Sequence, residues 1–573
     1  MAMELLRLFR KDGYRDPPPP VLEPARRWQV FAPVRRWVHR VEGRPDFLVA
    51  TGCAAVGCTV LLVAGAAPLA PGPGSVLGFL LLVLLGYGAL YVYVHQLQPK
   101  AVRRPKNLAL LAAVILVVLA LVRLGLGLAA SVHGHSPHLP LRPLFYAAPG
   151  ALAGVLLAVL LNARVAFAGS LIVSILATFM VAVELRFDFF LYTFLGCLAA
   201  TFGIAGQQER TGFFKAGALV ALANATTLVG LRLLYGPPAA GWYDLAAGLA
   251  NGLIVGILAT GLLPLLEYCF DVATDFRLLE LANLNQPLLK YLILTAPGTY
   301  NHSVVVGTMA EAAAEAIGAN TLLCRVGAYY HDIGKVKKPG YFIENHSGAA
   351  GRHAKLAPHL SSMVVMAHVR DGVDLAEAHG LPRAIIDLIP QHHGTRLVSF
   401  FYRKALEATD PALEAVAEET YRYPGPKPQT REAAILMLAD AVEAAARTLE
   451  DPTPSRIQGL VQTLTNTIFV DGQLDECDLT LRDLHRIAKS FTRVLTGMFH
   501  ARVDYPGSGL ETSRRRDDHE HVGARPATER EEADPDRHGL PAKGRRADAR
   551  HGGAEGGRVF ADPDRRLADD GLE

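Results

Sequence analysis

The sequence predicts an all-α protein: a polytopic helical membrane domain followed by a soluble, all-helical domain. Three observations lead there. Apolar stretches of about 20 residues, the length that crosses a bilayer, recur between Phe47 and Phe270. From Asn301 onward apolar residues keep helical spacing, Gly and Pro mark the ends, and no run of alternating strands occurs. Nine histidines fall between His302 and His393, several beside acidic residues or beside each other, a pattern that core packing does not require.

The chain has 573 residues and a net charge of +3, a length that suggests more than one domain. The near-neutral balance argues against a nucleic acid polymer as partner. Six cysteines lie far apart or inside apolar runs, and no CxxC pair occurs. Neither a disulfide framework nor a zinc finger is indicated.

Residues 1–46 form a basic leader with Arg26, Arg27, Arg35, Arg36 and Arg40. Trp28 and Trp37 among these arginines suit an anchor on the membrane surface; a solvated leader is the plainer reading. About eight spans follow in a membrane domain over 47–270: 47–66, 75–96, 107–130, 144–162, 165–183, 188–206, 213–235 and 245–270. The fourth and fifth are separated by a very short turn. Lys100, Arg103, Arg104 and Lys106 load the second loop, Arg164 the fourth, and Arg210 and Lys215 the sixth, whereas the alternate loops are poorer in basic residues. An even number of spans with this bias places both ends in the cytoplasm. Arg123, Asn224, Thr226, Thr227, Arg232 and Glu267 fall inside spans, where an ionisable group is a functional hypothesis by default. Arg232 and Glu267 lie near span ends and can snorkel; Arg123 is the deepest.

Residues 271–300 form a helical connector in which Leu278, Leu281, Leu284 and Leu288 recur at near-helical spacing and Pro287 restarts the helix. Such a segment would transmit movement from the spans, pair with a second copy in a homodimer, or pack on its own domain. Within the soluble domain, 301–506, helices are expected over 303–317 and 321–333, from Pro358 to His368, from Pro382 to His392 and His393, and over 431–449. These place His331 and Asp332 in a last helical turn and Asp440 in an apolar run. A carboxylate there is costly to bury unless paired or bound to a metal. His302, His331, Asp332, His368, His392, His393 and Asp440 therefore stand out. His346, His353, His359 and His379 read as ordinary loop or surface residues. Imidazole with carboxylate suits a divalent transition metal. Five histidines and two aspartates exceed the needs of one ion and match two ions sharing a bridging carboxylate, the apparatus of phosphate-ester hydrolysis.

At His331-Asp332-Ile333-Gly334-Lys335 the chain resembles the HD phosphohydrolase superfamily. The stretches LLELANLNQPLLKYL, APGTYNHS, AEAIGANTLLCRVGAYYHDIGK, GYFIENH, QHHGTRLVSFFYRKA, YRYPGPKPQTREAAILMLADAVEAAARTL and GQLDECDLTLRDL resemble, more narrowly, the seven-transmembrane HD family of cyclic di-AMP phosphodiesterases. The similarity covers about 270–506, and the spans less specifically. It implies a bacterial multi-pass protein of the cytoplasmic membrane, with its HD domain facing the cytoplasm and hydrolysing cyclic di-AMP to linear pApA with two ions, Mn or Fe. It implies that His302, His331, Asp332 and Asp440 hold one metal, and that Asp332 bridges to a second held by His368, His392 and His393. Lys335 joins Asp332 as a catalytic residue that neutralises charge beside the attacked phosphate. Tyr341, Phe342, Glu344 and Asn345 form a loop next to the site, where aromatic faces would stack on adenine.

The chain departs from that family in three places. The large extracellular domain usual between the first two spans is replaced by Gly65 to Ser75. His346 follows Phe342-Ile343-Glu344-Asn345 where Gln is usual. The loop GAAGRHAKLAP is atypical. Two alternatives compete: an HD enzyme acting on cyclic di-GMP or another nucleotide, and a membrane receptor that binds nucleotide without turnover. The Gly-Tyr-Pro hallmark of cyclic di-GMP enzymes is absent after His393, where the chain reads GTRLVSFFY. The complete ligand set and Lys335 argue against a mere receptor. The tail, 507–573, is charged, has a single aromatic, Phe560, and is expected to be disordered.

Overall fold

The structure is a computed structural model and describes residues 30–41, 47–64, 73–99, 104–236, 241–345, 349–408 and 416–499. The tail, Trp28, His346 and most of the leader lie outside these residues. Among the described residues the fold is all-α, with no strand beyond an isolated bridge between Leu397 and Arg422.

The membrane part opens with α1 (Ala32–Val41), which leaves Trp37 exposed. There follow α2 (Phe47–Ala64), α3 (Pro73–Leu97), α4 (Pro105–His135), α5 (Leu141–Phe145), α6 (Leu152–Leu160), α7 (Ala163–Thr178), α8 (Arg186–Ile204), α9 (Gly212–Tyr235) and α10 (Gly241–Phe270). Among the described residues five helices are long and apolar enough to cross a membrane: 74–97, 105–135, 183–204, 212–235 and 241–270. The apolar helices Phe47–Val63 and Ala163–Thr178 are shorter.

The fourth expected span, 144–162, is not one helix. Pro149 and Gly150 interrupt it, leaving α5, a run of turns and the nine-residue α6. Nine residues rise about 14 Å, roughly half of a bilayer's hydrocarbon. Irregular backbone at such depth must be buried in protein and hydrogen-bonded. Both conditions hold here. Ala148, Ala151, Leu152 and Ala153 are buried. The Tyr192 hydroxyl donates to the carbonyl of Tyr146 (2.6 Å), Asn251 Nδ2 to that of Ala148 (2.8 Å), and Cys197 Sγ to that of Gly150 (3.4 Å). Asn224 Nδ2 in turn donates to Asn251 Oδ1 (3.1 Å). Asn224 thus supports the break. Arg123, the deepest arginine, donates from Nη1 to the carbonyl of Leu62 (2.7 Å), closing the end of α2. Thr226 and Thr227 bond back to carbonyls four residues earlier.

α10 ends at Phe270, and Asp271 follows with φ of 52°, a left-handed conformation that Asp tolerates better than most residues. Its Oδ1 accepts from Arg35 Nη2 (3.0 Å) and from the backbone N–H of Arg383 (3.2 Å), while Lys106 Nζ donates to its carbonyl (3.3 Å). One residue therefore joins α1, the start of α4 and the soluble domain.

The connector folds as α11 (Asp275–Ala282) and α12 (Pro287–Thr295), the second opened by Pro287. Leu278, Leu281 and Leu288 bury against Tyr330, Ile333, Ile385 and Ile389 of the same chain, so the connector packs on its own domain. The soluble part continues with α13 (Pro297–Ile317), α14 (Thr321–Tyr330), α15 (Ala349–Ala354), α16 (Pro358–Ala378), α17 (Arg383–Ile386), α18 (Leu388–Gln391), α19 (Ser399–Ala408), α20 (Arg431–Ala446), α21 (Pro454–Val470) and α22 (Leu481–Phe499). α20 runs through the core: the whole run from Ala433 to Glu443 is buried. That is the setting into which Asp440 is placed.

Candidate metal centre

Three local devices bring the histidines together. α14 stops at Tyr330, and Asp332 leaves helical geometry (φ −108°, ψ 14°) before a 3₁₀ turn over Ile333–Lys337. The break turns Asp332 inward. Gly334 lets α16 approach: a Cβ on it would lie 1.9 Å from the carbonyl oxygen of His368. His392 and His393 follow α18 in a turn; His392 is fully buried, and His393 faces a cavity.

Three imidazoles are held alike. Nδ1 of His331 bonds the carbonyl of Ala328 (2.7 Å), that of His368 the carbonyl of Val365 (2.6 Å), and that of His392 the carbonyl of Ile389 (2.5 Å). A carbonyl only accepts, so each Nδ1 carries a proton and Nε2 is the atom left to meet a metal, by its lone pair in a neutral ring or after loss of a proton from a charged one. All three Nε2 atoms and Asp332 Oδ1 are buried without a hydrogen-bond partner, while Asp332 Oδ2 is met only by the Lys335 ammonium among the described lysines and arginines. Buried polar atoms are ordinarily paired, so four unpartnered atoms gathered around Asp332 call for a cation.

The donors fall into two sets, His302, His331, Asp332 and Asp440 in one and His368, His392 and His393 in the other, with ligand atoms within 4.8 Å of one another in each. Asp332 faces both. Its Oδ2 lies 3.2 Å from His331 Nε2 and 3.6 Å from His302 Nε2; its Oδ1 lies 3.3 Å from His368 Nε2 and 3.8 Å from His392 Nε2. Asp440 Oδ1 stands 3.1 Å from His302 Nε2, and its Oδ2 stands 3.9 Å from His393 Nδ1. These donors fit divalent cations.

Burial opposes charge on Asp332, yet the His331 and Lys335 cations hold its carboxyl well below the usual range. Burial likewise works against a charged His331, but Asp332 and Asp440 lift that imidazole to about 10. Burial and the His331 charge push His392 down to about 3, keeping its lone pair available. Lys335 Nζ sits 2.7 Å from Asp332 Oδ2 and 2.8 Å from Glu344 Oε1. Burial is outweighed by these two carboxylates, which raise the Lys335 pKa and fix its positive charge.

A cavity of about 440 Å³ opens onto the site, lined by Lys335, Phe342, Glu344, His393, Tyr423 and Arg447 among others. Of the four residues expected next to substrate, Phe342 and Glu344 line it. Glu344 also binds Lys335. Asn345 is committed elsewhere: its Oδ1 accepts from the N–H of Thr299 (3.0 Å) and its Nδ2 donates to Thr299 Oγ1 (2.8 Å). Tyr341 packs against His353, whose Nε2 bonds the Tyr341 carbonyl (2.9 Å). His353, read from sequence as an ordinary residue, thus helps hold this loop.

Sequence reasoning missed two groups. Tyr423 stacks on His393, with centroids 4.2 Å apart and planes at 22°; no spacing signal marked it. Glu443 is buried, and its Oε2 lies 2.5 Å from His302 Nδ1 while its Oε1 accepts from Arg447 Nε at 2.6 Å. A second carboxylate one turn after Asp440 on an apolar helix was the available signal. A carboxylate behind a ligating imidazole orients it and strengthens it as a donor. Glu443→Gln is therefore expected to weaken metal binding about 10- to 100-fold, measured by competition with a chelator. Unchanged affinity would remove Glu443 from this role.

Known protein families match both parts of the chain. The family described as 7TM receptor with intracellular HD hydrolase matches residues 74–274, and the HD domain family matches residues 299–445. The cyclic-di-AMP phosphodiesterase PgpH of Bacillus subtilis is 40% identical over 368 residues, 63% of this chain and 51% of that protein. The PgpH of Listeria monocytogenes is 34% identical over 433 residues, 75% of this chain and 58% of that protein. The chain thus spans between half and three-fifths of the length of these curated relatives. The crystal structure of the L. monocytogenes PgpH HD domain in complex with cyclic-di-AMP is 44% identical, and its match covers 38% of this chain and all of that one, with a TM-score of 0.36.

Proposed function

We propose that this chain, a seven-transmembrane-receptor-type membrane domain joined to an HD domain, is a metal-dependent phosphodiesterase that opens cyclic di-AMP to linear pApA. One observation carries the chemistry: Asp332 turns one carboxylate oxygen to each of two donor sets. We assign His302, His331, Asp332 and Asp440 to one divalent ion, and His368, His392 and His393, with Asp332 shared, to a second. Imidazole and carboxylate donors suit manganese or iron. When bound, such a pair acidifies a shared water and stabilises the attacking and leaving oxygens of a phosphate ester.

The protein's own groups supply the rest. Lys335, fixed by Asp332 and Glu344, holds a positive charge at the cavity wall where a phosphate would gain negative charge. Phe342 and Tyr423 offer ring faces on which a base can stack. Glu443 orients His302. The substrate assignment is supported by the PgpH relatives, which are cyclic-di-AMP phosphodiesterases. The test is competition of cyclic di-AMP and cyclic di-GMP for the purified full chain with Mn²⁺, with products separated by chromatography. Preferential conversion of cyclic di-AMP to pApA is expected. Equal or faster cleavage of cyclic di-GMP would overturn the substrate, and binding without cleavage would favour a receptor.

We also assign the HD domain to the cytoplasmic face. Basic residues in alternate loops support this orientation. Reporter fusions after Pro71 and after Pro238 are expected to read outside, and one after Arg104 inside; an outside signal from the HD domain would reverse the scheme. A homodimer formed through the connector would use Leu284 and Leu294, its exposed leucines.

A further inference from the structure

At the opposite end of α10 from the HD domain, five ionisable residues that the phosphodiesterase chemistry does not use surround a cavity of about 630 Å³: Arg142, Glu184, Asp188, Arg232 and Asp244. Asp244 precedes Phe270 by 26 residues in one continuous helix, about 39 Å, so this cavity lies across the membrane domain from the catalytic half. Its size is that of an ordinary small-molecule site.

The pairing inside the cavity is incomplete. Arg142 Nη2 bonds Asp188 Oδ2 at 3.1 Å. Asp244 is 7% exposed and lines the cavity, yet its Oδ1 has no hydrogen-bond partner. Arg142 Nε is likewise buried and unpartnered. A buried carboxylate oxygen left unpaired is costly. The Arg232 guanidinium packs against Gly241, where a Cβ would lie 1.9 Å from its Nη1 and would displace the guanidinium. Three carboxylates against two guanidiniums leave one excess negative charge. An anion alone would leave the Asp244 oxygen unpaired, and a simple cation alone would leave Arg142 Nε unpaired. A molecule with an ammonium and a carboxylate answers both.

We propose that this cavity binds a small zwitterion of amino-acid to dipeptide size, its ammonium on Asp244 and its carboxylate on the arginines. The test uses the full chain in lipid nanodiscs. Thermal unfolding is followed with each of the twenty L-amino acids and with a pooled dipeptide library as probes. At least one probe is expected to raise the unfolding temperature saturably. Asp244→Asn and Arg232→Gln are expected to weaken that binding roughly tenfold or more, in at least one variant that unfolds like the parent without ligand. The proposal is overturned if no probe shifts the parent, or if both variants keep the full shift.

Discussion

Asp332→Ala is expected to abolish turnover and to lower the metal content at both donor sets together. Its two oxygens face the two sets most closely, Oδ2 toward His302 and His331 and Oδ1 toward His368 and His392. Its loss would also strip Lys335 of one of its two carboxylates. Breaking a buried charge network by removing one partner costs about 3–5 kcal/mol, so the alanine variant needs a companion. Asp332→Asn keeps the shape and removes the charge. It is expected to retain the native helical signal and melt cooperatively while losing activity and metal. Elemental analysis is the decisive measurement: two equivalents per chain in either variant would sink the bridging assignment.

Lys335→Ala is expected to behave differently. Lysine is not among the donor sets, so both should keep their metal content. The rate should fall about 100- to 1,000-fold, the scale seen when one preorganised charge-stabilising donor is removed. The loss should appear in kcat more than in KM, because the charge matters most where the phosphate becomes more negative. A variant that loses metal in step with activity would move Lys335 from transition-state stabilisation to support of the site. Chelation provides the contrasting case, in which metal and activity disappear together and return on adding Mn²⁺.

Seven proposed ligand positions were legible in the sequence because their chemistry is conspicuous: paired His-Asp and His-His steps at helix ends, and one carboxylate in a run of apolar residues. The residues behind them were less legible. Glu443 is an ordinary glutamate until Asp440 is known to face inward; then the one-turn spacing puts it behind His302. Tyr423 comes from a proline-rich segment with no periodicity, and only the folded chain shows its ring on His393. In the Glu344–Asn345 loop, position beside the site was visible but direction was not. A 3₁₀ turn sends neighbouring side chains to different sides, so Glu344 meets Lys335 while Asn345 clamps Thr299. The break in the fourth span escaped for another reason. A hydropathy window averages across Pro149 and Gly150, and the apolar residues around them keep the average high.

Asp271 gives the molecule a mechanical property that its two halves lack separately. A chain leaving a bilayer through a slack linker would let its catalytic part tumble. Here the residue after the last span is riveted to the leader helix through Arg35, to the start of another span through Lys106, and to the first N–H of α17 through its own carboxylate. From Arg383 the chain reaches His392 in nine residues of short, stiff turns. Torque on the last span therefore arrives at one end of a lever whose other end carries two of the imidazoles, with little slack between.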